Sequence, residues 1–101
     1  MSSIEASKKG KHCTIRLGHE LTVNQTDEFR HILTKYHHLD EYTIDCDGLR
    51  RIDSAGIGVL VEMQDILGNY KKYSIMNTNR SIHDLLLKLH LEDLFTIGNP
   101  R

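Results

Sequence analysis

At 101 residues, with a formal net charge of −1, the chain has room for one modest core and no surplus of positive charge to hold a phosphate backbone, which argues against nucleic-acid binding. No apolar run approaches the roughly 20 residues of a membrane span, and Met1-Ser2-Ser3-Ile4-Glu5 lacks a signal-peptide core, so a cytoplasmic protein is expected. Cys13 and Cys46 sit far apart within strand-like segments, as buried thiols rather than a disulfide or metal pair.

Ile4 to Lys8 reads as a short edge strand, with Lys9-Gly10 as a hairpin turn. Residues 12–17 alternate, Cys13, Ile15 and Leu17 against His12, Thr14 and Arg16, the pattern of a half-buried strand. Thr22 and Gln25 have capping-box spacing. Thr26, Phe29, Ile32, Leu33 and Tyr36 then recur at helical intervals, predicting a first helix over 24–37. A third strand alternates over Tyr42, Ile44 and Cys46, and Asp47-Gly48 supplies a turn.

Leu49 and Ile52 lead to Ile52-Asp53-Ser54-Ala55-Gly56-Ile57-Gly58-Val59-Leu60, the most informative stretch of the chain. It predicts a helix from about Ser54 to Gly68, apolar on most sides, with Glu62, Asp65 and Asn69 as a narrow polar stripe. Such a helix is either deeply buried or keeps an apolar flank, here Val59, Met63 and Ile66, for a partner or an assembly. Tyr73 to Asn77 reads as a further strand, and Arg80 to Leu89 as a third helix capped by Asn79. Its buried stripe is Ile82, Leu85, Leu86 and Leu89, and Phe95 to Ile97 adds a last short strand. The pattern is one α/β domain over 1–101: a mixed sheet of four to five strands, opened by a hairpin and packed against three or more helices.

Ser54 has three readings. As a helix N-cap it stabilises the helix by about 1 kcal/mol over Ala and needs no other purpose. As a nucleophile it lacks support: there is no Gly-x-Ser-x-Gly elbow, no local base, and no Gly-Lys-Ser/Thr phosphate loop, so no enzyme activity is expected. As a substrate for another enzyme it would gain about −1.5 to −2 charges on phosphorylation. A helix N-terminus accommodates that charge through its free N–H groups and dipole, whereas an apolar or acidic partner face does not. The seven histidines (12, 19, 31, 37, 38, 83 and 90) show no metal-ligand spacing and read as surface groups sensitive to mild acid.

The run Asp53 to Leu60, preceded by strand Tyr42–Cys46 and Leu49-x-x-Ile52, resembles the core motif of STAS domains, the sulfate-transporter and anti-sigma-factor-antagonist family. The resemblance extends to Ile15-Arg16-Leu17 before Glu20-Leu21 and to Ser81–Phe95. It implies a bacterial anti-sigma-factor antagonist that needs no cofactor of its own. The unmodified form would bind an anti-sigma factor that is also a serine kinase of the histidine-kinase-like ATPase class, freeing the sigma factor. Phosphorylation of Ser54 would release that kinase, and a PPM-type serine phosphatase would restore binding. Asp53 would help present Ser54, and Glu20, Leu21 and Thr22 would join Asp53, Ser54, Ala55, Gly56, Gly58, Val59 and Met63 in the partner surface of a monomer or weak dimer. Two departures stand out: Thr22 replaces a usual acidic residue, and Arg101 comes before the final helix many members carry, which leaves one face expected to be open. STAS-like chains also serve as scaffolds in stress-sensing complexes and as accessory subunits of lipid-transport ATPases, the alternative reading.

Overall fold

A computed structural model describes residues 4–101, so the Met1-Ser2-Ser3 part of the N-terminal reading lies outside the described residues. The opening hairpin joins β1 (Glu5–Lys9) to β2 (His12–Arg16) in an antiparallel register that closes at Lys9 and His12. Its two-residue turn is Gly10-Lys11, one residue later than the sequence suggested, with Gly10 at φ +60, where a side chain would be strained. A two-residue strand β3 (Glu20–Leu21) follows, then a 3-10 turn over Val23–Gln25 and helix α1 (Thr26–Lys35).

Helix α1 is shorter than predicted at both ends, for local reasons. Thr22 and Gln25 do form the capping box, but they cap the 3-10 turn. At the other end, the Tyr36 carbonyl is taken by the Tyr42 hydroxyl, which ends the helical ladder. Strand β4 (Glu41–Asp45), the short β5 (Arg51–Ile52), helix α2 (Ser54–Leu67), β6 (Lys72–Met76), α3 (Arg80–Lys88) and β7 (Thr96–Ile97) complete the chain. Asn79 caps α3 as predicted, its side chain accepting from the Ile82 N–H at 2.8 Å.

The five long-range strands form one sheet in the order β1-β2-β4-β6-β7, antiparallel at β1/β2 and parallel elsewhere. Each β-α-β crossover steps to the next strand in the same direction, so right-handed connections put the three helices on one face. That face carries the core: Cys13, Tyr42 and Tyr73 share one register row, and Ile15, Ile44 and Ile75 the next. Phe29 and Leu33 of α1, Val59, Leu60 and Met63 of α2, and Ile82 and Leu86 of α3 close over them. The opposite face is polar: His12 bonds to Thr43 Oγ1 at 2.7 Å, and Arg16 pairs with Asp45 at 3.5 Å. Both thiols are buried, as expected, and burial pushes Cys13 up to about 11 and Cys46 up to about 12, which keeps them protonated and unreactive.

Candidate functional site

The site is built on a second, two-stranded sheet that the sequence did not reveal. β3 pairs in parallel with β5, Glu20 with Arg51 and Leu21 with Ile52. The His19 carbonyl accepts from the N–H groups of Arg50 and Arg51 at 2.8 and 3.1 Å, and the Leu21 carbonyl accepts from Asp53 at 3.4 Å. Leu21 and Leu49 are buried and anchor the two segments in the core. The start of α2 is thereby fixed to a loop more than thirty residues earlier in the chain.

On this platform Asp53, not Ser54, is the N-cap. Its Oδ1 accepts from the Gly56 N–H at 2.8 Å, and its Oδ2 accepts from the Val23 N–H at 3.1 Å. The Gly56 bond, with further help from the Val23 and Ala55 N–H groups and the Arg51 charge, holds the Asp53 carboxyl below the usual carboxylate range despite some desolvation. One carboxylate thus ends the helix and ties it to the 3-10 turn. Ser54 is the first helical residue and is exposed, with its hydroxyl outside the cap.

The two glycines of the motif have opposite surroundings. A Cβ on Gly56 would sit 2.0 Å from the Leu21 carbonyl oxygen and 2.9 Å from Ile52 Cγ1, so only glycine lets the helix lie against β3. A Cβ on Gly58 would meet nothing within 4 Å. Its bareness serves no packing need inside the chain.

The short parallel pair and the Asp53 cap are new to the structure; the outward-facing serine at the start of an apolar helix is the part that the sequence resemblance implied. The family model described as "Mlab, STAS domain" matches residues 4–96. The chain belongs to the STAS domain family. Among solved structures, an anti-sigma-factor antagonist (STAS) domain protein from Planctomyces limnophilus superposes with a TM-score of 0.83 at 12% identity, covering 100% of this chain and 92% of that one. A putative anti-sigma factor antagonist from Thermotoga maritima gives a TM-score of 0.83 at 13% identity, with 95% and 86% covered. The Bacillus cell fate determinant SpoIIAA in its phosphorylated form gives 0.70 at 14% identity, with 95% and 91% covered. At these identities the likeness is one of fold. No curated protein matches in sequence.

Within this STAS domain the residues expected on the partner surface fall into two groups. Ser54 and Gly58 are exposed, and Glu20, Asp53 and Ala55 are partly so. Leu21, Thr22, Gly56, Val59 and Met63 are buried and lie beneath the surface that the resemblance assigned to a partner. Val59 and Met63 face the core because α2 rests its Gly56 side on β3. The outward stripe is Ser54, Gly58, Val61 and Asp65, with Ile66 beside it, so Ile66 alone of the predicted apolar flank is open. The Thr22 departure has a local explanation: the side chain is 3% exposed and works inside the capping box, its Oγ1 accepting from the Asn24 N–H at 3.3 Å while Gln25 Oε1 accepts from the Thr22 N–H at 2.9 Å. It is no surface contact in this chain.

Four residues around the start of α2 and behind it escaped the sequence reading. Val23 is 65% exposed at the 3-10 turn, next to the cap that Asp53 makes. Its signal was an apolar residue directly after a capping Thr, where no helical stripe claims it. Arg50 and Arg51 are exposed on the approach to Asp53. Arg30 of α1 holds Glu62 of α2 through two bonds of 2.9 and 3.1 Å, fixing the helix pair behind the site. Of the histidines, 19, 31, 37, 38 and 90 are exposed, whereas His12 and His83 are half-buried, against the expectation of a surface position for all. Among the described residues, no three His, Cys, Asp or Glu side chains gather as a metal site. No helix among them is long and apolar enough to cross a membrane.

Proposed function

We propose that this STAS domain is an anti-sigma-factor antagonist that works by partner switching, with Ser54 as the residue that is modified. The single observation behind this reading is the division of labour at the start of α2. Asp53 carries the cap, so the neighbouring Ser54 hydroxyl is exposed and can be altered without removing a hydrogen bond the fold uses. A phosphate there adds about −1.5 to −2 charges. The free N–H groups and dipole of α2 offset that charge within the domain. A partner lying over Ser54, Gly58, Val61 and Val23 faces a desolvated anion instead, and leaves.

On this reading the unmodified domain holds an anti-sigma factor that is itself a serine kinase of the histidine-kinase-like ATPase class. A PPM-type phosphatase resets it, and nucleotide and metal belong to those partners. Glu20 and Asp53, both partly exposed beside Ser54, give the kinase an acidic edge to orient on. The test is to incubate the protein with its cognate kinase and ATP, map the phosphate by mass spectrometry, and compare kinase binding of the wild type with Ser54→Ala and Ser54→Asp. Phosphate on Ser54, retained binding by Ser54→Ala and loss by Ser54→Asp are expected. Phosphate at another residue, with Ser54 untouched, overturns the assignment.

A second reading, an accessory subunit of a stress-sensing scaffold or a lipid-transport ATPase, draws on the exposed Val61 and Ile66, apolar positions on the outer side of α2. Light scattering separates the two: a large stable assembly favours the accessory role, and a monomer or weak dimer favours the switch.

A further inference from the structure

Beside the start of α2, a groove of about 470 Å³ runs between β5 and α3. One wall is Arg50, Arg51 and Ile52, the residues that lead into Asp53 and Ser54; the other is the exposed side of α3, from Ser81 to Lys88. The walls are fixed to each other by the Asn79 side-chain amide, which donates to the Leu49 carbonyl at 3.4 Å, and by burial of Leu49 and Ile82. Ile52 and Leu85 are half-buried and line the groove with Ile82, so it has an apolar floor. Three cations, Arg50, Arg51 and Lys88, stand on its rim against one carboxylate, Asp84. Arg51 stands 3.9 Å from Glu20 and also acts on Asp53, but with 76% of its side chain exposed its guanidinium stays open to a ligand.

We propose that this groove receives an acidic, amphipathic segment of a protein partner. Charge complementarity selects the sign: a surplus of two positive charges lines the groove of a chain whose overall charge is −1. The apolar floor selects the kind of ligand. Leucine-like side chains can be buried on Ile52 and Leu85 while carboxylates meet the rim, and arginine-rimmed apolar clefts are favoured at protein interfaces. A nucleic-acid strand would instead need cations tracking a backbone well beyond three residues. The groove ends two residues before Ser54, so a segment seated in it also orients whatever lies over the serine. The proposal rests on the partner-switching reading only for the identity of the protein that supplies the segment.

The test reads the groove alone. Isotope-labelled protein is titrated with a short, end-blocked amphipathic helix of Leu, Ala and Glu, and in parallel with its Leu, Ala and Lys counterpart, following amide shifts by NMR. Shifts confined to Arg50–Ile52 and Ser81–Lys88 with the Glu peptide, and none with the Lys peptide, are expected. The double variant Arg50→Glu, Lys88→Glu should bind the Glu peptide about tenfold more weakly, the sum of several exposed charge contacts. Both residues are exposed, and an otherwise unchanged spectrum shows that the fold is intact. Equal response to the two peptides, shifts elsewhere, unchanged affinity in the variant, or a stronger response to an oligonucleotide or anionic vesicles overturns the proposal. Failure of Ser54 phosphorylation leaves this measurement unaffected, so the two ideas fail separately.

Discussion

The amino end of α2 presents two sides that differ in almost every physical respect. On the inner side Asp53 and Gly56 are held fast: the Asp53 carboxylate accepts from the Gly56 and Val23 N–H groups, and the Leu21 carbonyl of β3 lies where a Gly56 Cβ would be. On the outer side Ser54 and Gly58, one turn apart, are exposed and touch little. The inner residues resist change because the fold has filled their surroundings. The outer ones are free to be modified or covered because the fold does not use them. Neighbouring residues at one helix start thus differ completely in how far the fold depends on them.

The inner side is most vulnerable at Gly56. Gly56→Ala forces a methyl group to 2.0 Å from the Leu21 carbonyl and should cost about 3 kcal/mol or more by denaturant unfolding. A variant with wild-type stability would show that the β3–α2 contact is loose. Asp53→Ala comes next, with a fall of a few degrees in melting temperature as both the cap and the Val23 tie are lost. The acid dependence carries a definite sign. A carboxyl held below its ordinary range contributes stability that is present above that range and lost as pH falls through the folded-state value. Melting curves of the wild type should therefore decline in acid more steeply than those of Asp53→Ala; parallel declines would remove Asp53 from the cap.

The outer side should respond weakly and in the other direction. Gly58→Ala enters open space in a helix and should raise stability by up to about 1 kcal/mol, read as an increase in unfolding midpoint, while weakening any partner that lies close over that turn. Ser54→Ala should shift stability by less than about 0.5 kcal/mol. A larger loss would mean that the serine shares the capping role after all.

Much of this was legible in the sequence, for reasons that vary by element. Alternation at Cys13, Ile15 and Leu17 and at Tyr42, Ile44 and Cys46 found β2 and β4, because the apolar side chains of each strand all point to the core face. Asn79 ahead of Ile82 and Leu86 found α3 and its cap, whereas Leu89, expected in the buried stripe, lies past the helix end and is exposed. β3 and β5 were invisible, since two residues each cannot show a period, and their pairing joins segments some thirty residues apart. The phase of α2 was misread because apolar side chains surround it on nearly every side. With Val59, Val61, Met63 and Ile66 all available, hydrophobicity could not say which would face the sheet. Asp53 and Ser54 are both good caps, and only the position of Gly56 and Val23 decides between them.

By itself the sequence determined the three helices and the strands of the main sheet, that one core would hold them, and that a hydroxyl would stand at the head of an apolar helix. Those outcomes follow from local periodicity and from the side-chain chemistry of caps, which act over a few residues. The tertiary structure alone decided that Ser54 is open while Thr22, Val59 and Met63 are closed, and that Arg50, Arg51 and Lys88 rim one groove. Exposure and proximity depend on how a helix is rotated and on which distant carbonyl it rests against, and both are set by packing between remote parts of the chain.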